Sequence, residues 1–212
     1  MAQDAPGTRA VRGEAELPPS LPTEFYTRSA DLVAPELLGK LLVVRRGEEA
    51  LCGRIVETEA YLGETDLACH AARGYTPRTS TLYGPAGTAY VYLIYGMYDL
   101  FNAVCQPEGV PHAVLVRAVE LLRAPAGARG DGPGRLSRAL GITRADNGES
   151  LAAPPVSIHD AAPVTAVEVT RRVGVGYAGV WADAPLRFLD AGSNGVSRPT
   201  RSSIGSGPKP SR

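Results

Sequence analysis

The spacing of apolar and polar residues along the chain predicts more strands than helices. Stretches rich in β-branched, aromatic or alternating residues and bounded by Gly, Pro or Asp are typical of strands. They cover residues 40–46, 51–62, 89–95, 100–104, 113–122, 164–175 and 186–189. Helical spacing is confined to residues 29–38, which Gly39 ends, and to residues 134–140, where an apolar face leaves Arg135 and Arg138 pointing outward. Because helices and strands do not alternate regularly, the pattern predicts an α+β fold.

Composition predicts one domain between two polar tails. With 212 residues and 44% hydrophobic content, the chain can bury one sizeable core. Residues 1–22 and 196–212 lack apolar periodicity and are rich in Pro, Gly and polar or charged residues, so we expect disordered tails around a domain at residues 23–195. There is no signal-like segment, and the apolar run at residues 89–97 is too short for a bilayer, so we expect a cytoplasmic protein.

Cysteine content and net charge exclude few classes of protein. Cys52, Cys69 and Cys105 are odd in number and widely spaced, which fits neither a disulfide framework nor a zinc site. The formal net charge is zero, so nothing global indicates a nucleic-acid partner. Residues 117–144 nevertheless contain six arginines. These predict either a modest phosphate-contacting face or an ordinary solvated surface.

Tyrosine clustering gives the first indication of function. Seven of the nine tyrosines lie in residues 61–98. Aromatic faces bind other flat π-systems, and a carboxylate among aromatic groups is suited to proton transfer. The cluster therefore suggests a pocket for a nucleobase.

The segment at residues 53–62 places two carboxylates beside this cluster. A two-residue period puts Ile55, Glu57, Glu59 and Tyr61 on one face of the strand and the residues between them on the other. The alternative is a solvated strand face, on which paired acids are common.

A second feature is the sequence Tyr95-Gly96-Met97-Tyr98, whose glycine is typical of a hairpin turn. Tyr95 would then lie near an exposed tip, where an aromatic ring can act as a wedge between base steps. The alternative is a ring that packs on its own core.

Several distinctive motifs follow one another in order. They are Gly53-Arg-Ile-Val-Glu-Thr-Glu-Ala-Tyr-Leu-Gly63, Asp66, His70, Thr76-Pro-Arg78, Gly87, Tyr90-Val-Tyr-Leu-Ile-Tyr-Gly-Met-Tyr98, Asn102, Arg117 and Arg172-Val-Gly-Val-Gly176. Together they resemble the alkyladenine (3-methyladenine) DNA glycosylase family, over roughly residues 23–192. The resemblance implies a single α+β domain with a curved, mostly antiparallel, open barrel-like sheet, flanking helices and a protruding β-hairpin, similar to the C-terminal domain of methionyl-tRNA formyltransferase.

The resemblance also implies a reaction. Members of the family flip damaged purines out of duplex DNA and hydrolyse the N-glycosidic bond, leaving an abasic site. Glu59 matches the general base that activates water, and Glu57 would be structural or a partner of the site. Arg117 matches the arginine that helps to hold this water, and Val173 the residue whose backbone carbonyl also contacts it.

Further matches imply how DNA is held. Tyr61, His70 and Tyr92 correspond to the rings that sandwich the flipped base, and the backbone of Ala68 to a contact at the base edge. Asn102 corresponds to the amide that disfavours normal guanine. Tyr95 corresponds to the wedge, and the candidates for DNA-backbone contact are Arg78, Met97, Tyr98, Arg135 and Arg138.

The choice of nucleophile can be argued from lysine content. A glycosylase that also nicks the strand needs an amine to form a Schiff base. The only lysines are Lys40, after a predicted helix, and Lys209, in a predicted tail. We therefore expect hydrolysis by water, with no cofactor and no metal. The expected partner is double-stranded DNA containing damaged purines, bound by a monomer.

Two alternatives from other classes stay open. Glu57, Glu59, Asp66 and His70 could bind a divalent ion in a metal-dependent nuclease. The chain could instead be a non-catalytic nucleic-acid-binding module, because a fold does not determine a function.

Overall fold

The computed structural model describes residues 17–197 and places an eight-stranded antiparallel sheet at the centre of the fold. The strands are β1 (Leu41–Arg46), β2 (Glu49–Leu62), β3 (Ala89–Ile94), β4 (Tyr98–Cys105), β5 (His112–Arg123), β6 (Val156–His159), β7 (Val167–Thr170) and β8 (Arg187–Asp190). Their order is β3-β4-β5-β2-β1-β6, and β8 pairs with both β2 and β7. The sheet curls into a half-barrel, which confirms a single α+β domain, while the likeness to the formyltransferase domain stays a prediction.

Short helices cover the sheet. They are α1 (Thr23–Tyr26), α2 (Ala30–Glu36) and α3 (Pro133–Leu140), with 3₁₀ turns at Gly63–Thr65, His70–Arg73, Ser80–Tyr83, Arg144–Asp146 and Gly179–Ala182. The two helices predicted from the sequence are thus confirmed. Gly39 follows α2 with a φ of +88°, and a Cβ there would lie 2.4 Å from the carbonyl oxygen of Ala162. Only glycine fits this close approach.

One strand prediction is wrong. Of residues 164–175, only Val167–Thr170 form a strand, because β8 offers β7 a pairing partner over just these four residues. The chain then leaves the sheet, and Gly174 adopts a positive φ of 76° in the following loop. The short strand β6 was not predicted.

A bulge in β2 corrects the predicted strand faces. Against β5, Ile55 pairs with Val119 and Glu57 with Ala118, so Val56 is an extra residue. Ile55 consequently packs in the same core cluster as Ala60, although a strict two-residue period would put them on opposite faces. Glu57, Glu59 and Tyr61 do share a face, as predicted, but Ile55 does not belong to it.

The main core lies between the sheet and the helices. Tyr26 and Leu37 come from the N-terminal helical region, Phe101 and Val116 from the sheet, and Leu136 from α3. Burial of these apolar side chains is the main driving force for the fold. The face of β2 that carries Glu57, Glu59 and Tyr61 does not contribute to this cluster.

Packed residues lie on both sides of the predicted domain bounds, 23 and 195. Leu21 is buried, and its N–H donates to the carbonyl of Ile158 over 2.7 Å. Ser197 is also buried. The rest of the predicted tails, residues 1–16 and 198–212, lies outside the described residues.

Two further sequence predictions concern cysteines and membranes. Cys52, Cys69 and Cys105 are free thiols. Within residues 17–197 no helix has the length and apolar content needed to cross a membrane.

Close packing of α3 on the hairpin leads to a first prediction. A Cβ on Gly134 would lie 2.6 Å from Cδ1 of Tyr98, so Gly134→Ala should lower the free energy of unfolding by about 1–3 kcal/mol through overpacking. At an open helical position the same change would instead stabilise by up to about 1 kcal/mol. Urea unfolding measures the effect. In a Tyr98→Ala background the penalty should become smaller, because Cγ and Cδ1 are removed while Cβ of residue 98 stays at 2.9 Å. An undiminished penalty there would contradict the proposed clash.

Candidate active site

A cavity of about 440 Å³ opens beside β2, the β3–β4 hairpin, the start of α3 and the loop after β7. Its volume lies in the range of ligand-binding pockets. The structure brings most of the predicted residues to its walls: Tyr61, Ala68, His70, Tyr92, Tyr95, Tyr98, Asn102, Arg117, Arg135 and Val173. Glu59, Arg78, Met97 and Arg138 do not line it.

Glu59 lies directly behind the cavity wall. Its carboxylate is buried, and Oε1 accepts a hydrogen bond from the backbone N–H of Val173 over 2.7 Å. Oε2 accepts one from the hydroxyl of Tyr61 over 2.8 Å, with Nη1 of Arg117 at 3.3 Å. Since all three partners line the cavity, Glu59 is separated from it by a single layer of side chains and backbone.

The Tyr61 ring connects this carboxylate to a second ion pair. Burial and, next, the Glu59 carboxylate raise the pKa of Tyr61 well above its usual value, so its hydroxyl remains a donor. The guanidinium of Arg172 lies over the ring at 4.7 Å from its centroid. Arg172 in turn makes a buried two-point ion pair with Asp66.

Arg117 remains charged although it is buried. Burial by itself lowers the pKa of its guanidinium, but the carboxylates of Glu59 and Glu57 outweigh this effect and raise it. The site thus contains a fixed cation between two acids.

Aromatic rings form one wall of the cavity. The rings of His70 and Tyr92 lie 4.5 Å apart at 70°, and those of Tyr90 and Tyr92 lie 5.3 Å apart. Burial, assisted by Arg78 and Arg73, lowers the pKa of His70 to about 4, so its ring is neutral at neutral pH.

A tyrosine hydroxyl fixes the position of the His70 ring. The Tyr90 hydroxyl lies 3.0 Å from Nδ1 of His70. Burial raises the pKa of Tyr90 to about 12, so this hydroxyl stays protonated at neutral pH. The two groups share one hydrogen bond, in which either can be the donor.

Two polar backbone contacts define the remaining wall. Nδ2 of Asn102 donates to the carbonyls of Tyr90 at 3.0 Å and Leu100 at 3.4 Å, which fixes the amide. The N–H of Ala68 donates to Asp66 over 3.0 Å. A base-edge contact by Ala68 would therefore use the carbonyl rather than this N–H.

The predicted hairpin is confirmed. Tyr95 and Gly96 have φ values of 53° and 68°, as in type I′ turns. Tyr95 is 82% exposed although it borders the cavity, so its ring projects from the cavity mouth. A positive φ is costly for a bulky residue and is typical of functional positions.

Arginines lie around this mouth. The Arg78 guanidinium lies 5.8 Å from the Tyr92 ring and that of Arg138 lies 5.9 Å from the Tyr98 ring. Arg135 is exposed and pairs with Asp131. These side chains form a cationic rim.

The carboxylates singled out as metal ligands are instead paired with arginines. Both oxygens of Asp66 contact Arg172, and Glu57 contacts Arg117 and Arg187. In the part of the chain that the structure describes, no group of three or more His, Cys, Asp or Glu residues is arranged to bind a metal. The geometry therefore favours ion pairs over a nuclease centre.

Sequence reasoning missed two residues behind the site. Arg187 begins β8, and Ser197 falls in a predicted tail. Both contact Glu57. Neither belongs to a motif, so their role had no signal in the sequence.

The aromatic cavity, the buried carboxylate behind its wall and the exposed ring at its mouth suit a protein that takes a flat base out of duplex DNA. A family model described as methylpurine-DNA glycosylase matches residues 24–194. The chain belongs to this family, so it is a DNA repair enzyme of the type that hydrolyses N-glycosidic bonds.

Relatives in several bacteria agree with this membership. The chain is 53% identical over 195 residues to a protein of Myxococcus xanthus, covering 91% of this chain and 96% of the relative. It is 50% identical over 181 residues to one of Anaeromyxobacter dehalogenans, covering 84% and 86%, and 50% identical over 170 residues to one of Legionella pneumophila, covering 79% and 92%. All three carry the name "putative 3-methyladenine DNA glycosylase".

The lowered pKa of His70 predicts a pH dependence of stability. An unfolded histidine titrates near 6.5 and folded His70 near 4, so between these values the unfolded state binds more protons. The free energy of unfolding should fall as pH drops through this window, by on the order of 2 kcal/mol from this group after allowance for its partial exposure. Urea unfolding at pH 7 and 4.5 should show a smaller fall for His70→Gln than for wild type. His112→Gln is measured beside these two proteins, because burial also lowers the pKa of His112 and this histidine therefore contributes to the fall in the wild type. Equal falls for wild type and His70→Gln would contradict the prediction.

Proposed function

We propose that the protein is a monofunctional glycosylase of base excision repair. It flips an alkylated or deaminated purine out of duplex DNA and hydrolyses its N-glycosidic bond with a water activated by Glu59, leaving an abasic site. The substrate class comprises 3-methyladenine, 7-methylguanine, hypoxanthine and ethenoadenine. The proposal rests mainly on one observation, which is that Glu59 lies behind the aromatic cavity wall between Tyr61, Arg117 and Val173.

The environment of the two acids favours Glu59 over Glu57 as the base. All three partners of Glu59 line the cavity, whereas only Arg117 does so among the partners of Glu57. A general base must come within hydrogen-bonding reach of its water. A water at the cavity floor between Arg117 and the backbone carbonyl of Val173 would be within reach of Glu59.

The reaction is a displacement at the anomeric carbon. The water oxygen forms a bond to this carbon while the bond to the base breaks, and the electron pair of that bond leaves with the base. Glu59 takes one proton from the water, and the other remains in the new sugar hydroxyl. A positively charged alkylated base thereby leaves as a neutral molecule, whereas a neutral base such as hypoxanthine leaves as an anion that takes up a proton from solvent. The carboxylate also stabilises the developing oxocarbenium-like charge.

The cavity walls suit a flat, electron-poor base. Tyr61, His70 and Tyr92 offer ring faces, and a cationic base gains roughly 0.5–2 kcal/mol from a favourable ring contact. The neutral His70 ring adds no opposing charge, and one of its ring nitrogens could hydrogen-bond near the sugar. Asn102, held by backbone carbonyls, would crowd the exocyclic amine of normal guanine.

The rim accounts for duplex binding. Tyr95 would fill the gap left by the flipped nucleotide. Arg78, Arg135 and Arg138 would contact phosphates, and Met97 and Tyr98 would pack against the same strand.

Hydrolysis by water fits the surroundings of Lys40 better than Schiff-base chemistry does. Its ammonium group contacts Asp160 at 2.5 Å and the carbonyl of Ala161 at 2.7 Å, and it does not line the cavity. Lys209 lies outside the described residues. We propose that the enzyme acts as a monomer, without cofactor, in the cytoplasm on nucleoid DNA.

The proposed base leads to a direct test. Glu59→Gln keeps the shape but removes the basicity, so single-turnover base release should fall by about 10² to 10⁴. Affinity for the lesion duplex should stay within severalfold. The assay measures base release from duplexes that each carry one of the four lesions, in the presence of EDTA. A parallel reaction contains borohydride, which would trap a covalent protein–DNA adduct.

Glu64→Gln is the control, because this exposed carboxylate contacts Tyr83 rather than the cavity. It should retain wild-type rates. Base release by Glu59→Gln at a rate near that of wild type would contradict the assignment of Glu59 as the general base. Loss of activity in EDTA would favour a metal-dependent enzyme, and a borohydride-trapped protein–DNA adduct would contradict hydrolysis by water.

The wedge predicts a dependence on base pairing. Unstacking a nucleotide costs a few kcal/mol, and less when the base is already mispaired. Tyr95→Ala should therefore slow excision by roughly 10- to 100-fold in a well-paired duplex and much less where the lesion lies opposite a mismatch. Tyr92→Ala removes a cavity wall and should slow both equally. Equal losses for Tyr95→Ala in the two duplexes would show that this ring is not the wedge.

A further inference from the structure

The second carboxylate of β2, Glu57, is buried and surrounded by hydrogen-bond donors. Its Oε1 accepts from Nε of Arg117 and Nε of Arg187, both at 2.8 Å. Ser197 donates twice, from its hydroxyl to Oε1 at 2.8 Å and from its backbone N–H to Oε2 at 2.5 Å. Arg187 also donates to the carbonyl of Ser197 at 3.2 Å, so two of the partners of Glu57 are hydrogen-bonded to each other.

These contacts form a row in which charges alternate: Arg187, Glu57, Arg117, Glu59. Arg117 is held at three of its nitrogens. Nε contacts Glu57 at 2.8 Å, Nη2 contacts Ser197 at 3.4 Å, and Nη1 faces Glu59 at 3.3 Å. The contact with Glu57 is therefore short, whereas the contact with the proposed base is longer.

This difference has a chemical consequence. A free guanidinium tends to form a two-point pair with a carboxylate. If Arg117 paired with Glu59 in this way, it would occupy the oxygens that must receive the proton of the attacking water. Because Glu57 holds Nε of Arg117 and Ser197 contacts Nη2, the nitrogen that faces Glu59 is Nη1.

We propose that Glu57, supported by Arg187 and Ser197, is a positioning residue for the reaction that holds Arg117 in a one-point contact with Glu59. The inference rests on the proposed function, since it assumes that Glu59 is the base. It assigns a role in the reaction to the chain after β8, through Ser197.

The test is to substitute Glu57 with Gln, which keeps its shape but removes its charge. Single-turnover excision of the lesion that wild type releases fastest should fall by roughly 10- to 100-fold, because Arg117 is misplaced. The dissociation constant for the same duplex should stay within about threefold. A wild-type rate accompanied only by a lower melting temperature would overturn the inference.

Glu120→Gln is the matched control. Glu120 is also a β-strand carboxylate held by one arginine and one serine, Arg54 and Ser193, but it does not contact Arg117. The excision rate of this variant should equal that of wild type. An equal loss in Glu120→Gln and Glu57→Gln would show a general effect of removing a strand carboxylate from its arginine and serine partners, and would overturn the inference.

A double-mutant cycle separates positioning from stability. If Glu57 acts through Arg117, adding Glu57→Gln to Arg117→Gln should cause no further loss of rate. Losses that multiply would overturn the inference. If Glu57→Gln does not fold, the same cycle is carried out with Ser197→Ala, which removes one hydroxyl and should lower the rate severalfold in the wild-type background alone.

Glu59→Gln, measured beside these variants, distinguishes the two proposals. If Glu59→Gln is inactive and Glu57→Gln has the wild-type rate, only the positioning role fails. If Glu59→Gln is active, the assignment of the base fails, and the positioning inference fails with it.

Discussion

Charges buried beside the cavity are all held by opposite charges, and this pairing requirement shapes the active-site side of the sheet. An unpaired buried charge costs several kcal/mol, so each acid on or after β2 needs a guanidinium brought to it from elsewhere in the chain. Each of three elements supplies one arginine: Arg117 comes from β5, Arg172 from the loop after β7 and Arg187 from β8. The six residues are Glu57, Glu59, Asp66, Arg117, Arg172 and Arg187. The fold of this region is therefore the arrangement that satisfies three acids with three arginines.

Within this arrangement two acids on one strand acquire different environments. Glu57 is surrounded by four donors, whereas Glu59 has a tyrosine hydroxyl, one backbone N–H and a more distant guanidinium. Divergent surroundings of this kind are how paired carboxylates come to perform different tasks. The bulge at Val56 contributes, since it interrupts the alternation just before Glu57 while Ile55 stays in the core. Bulges are common next to active sites for this reason.

Features encoded within a few neighbouring residues could be predicted from the sequence, and features that depend on distant partners could not. The helix at Pro133–Leu140 and the turn at Tyr95-Gly96 follow from local periodicity and from glycine. The bulge arises from the pairing of β2 with β5. The length of β7 is limited by the four residues of β8 with which it pairs. Neither feature therefore leaves a local signal in the sequence. The motifs drew attention to the cavity residues through a family resemblance. Ser197, 140 residues from its partner Glu57, belongs to no motif and could be placed only by the structure.

The distance along the chain between Glu57 and Ser197 bears on how the enzyme is made. During translation, β2 leaves the ribosome long before the arginine of β8 and the serine that follows it. Until then Glu57 lacks the guanidinium of Arg187 and both hydrogen bonds from Ser197. On a growing chain, the buried contacts of this carboxylate are therefore completed only after residue 197 has emerged.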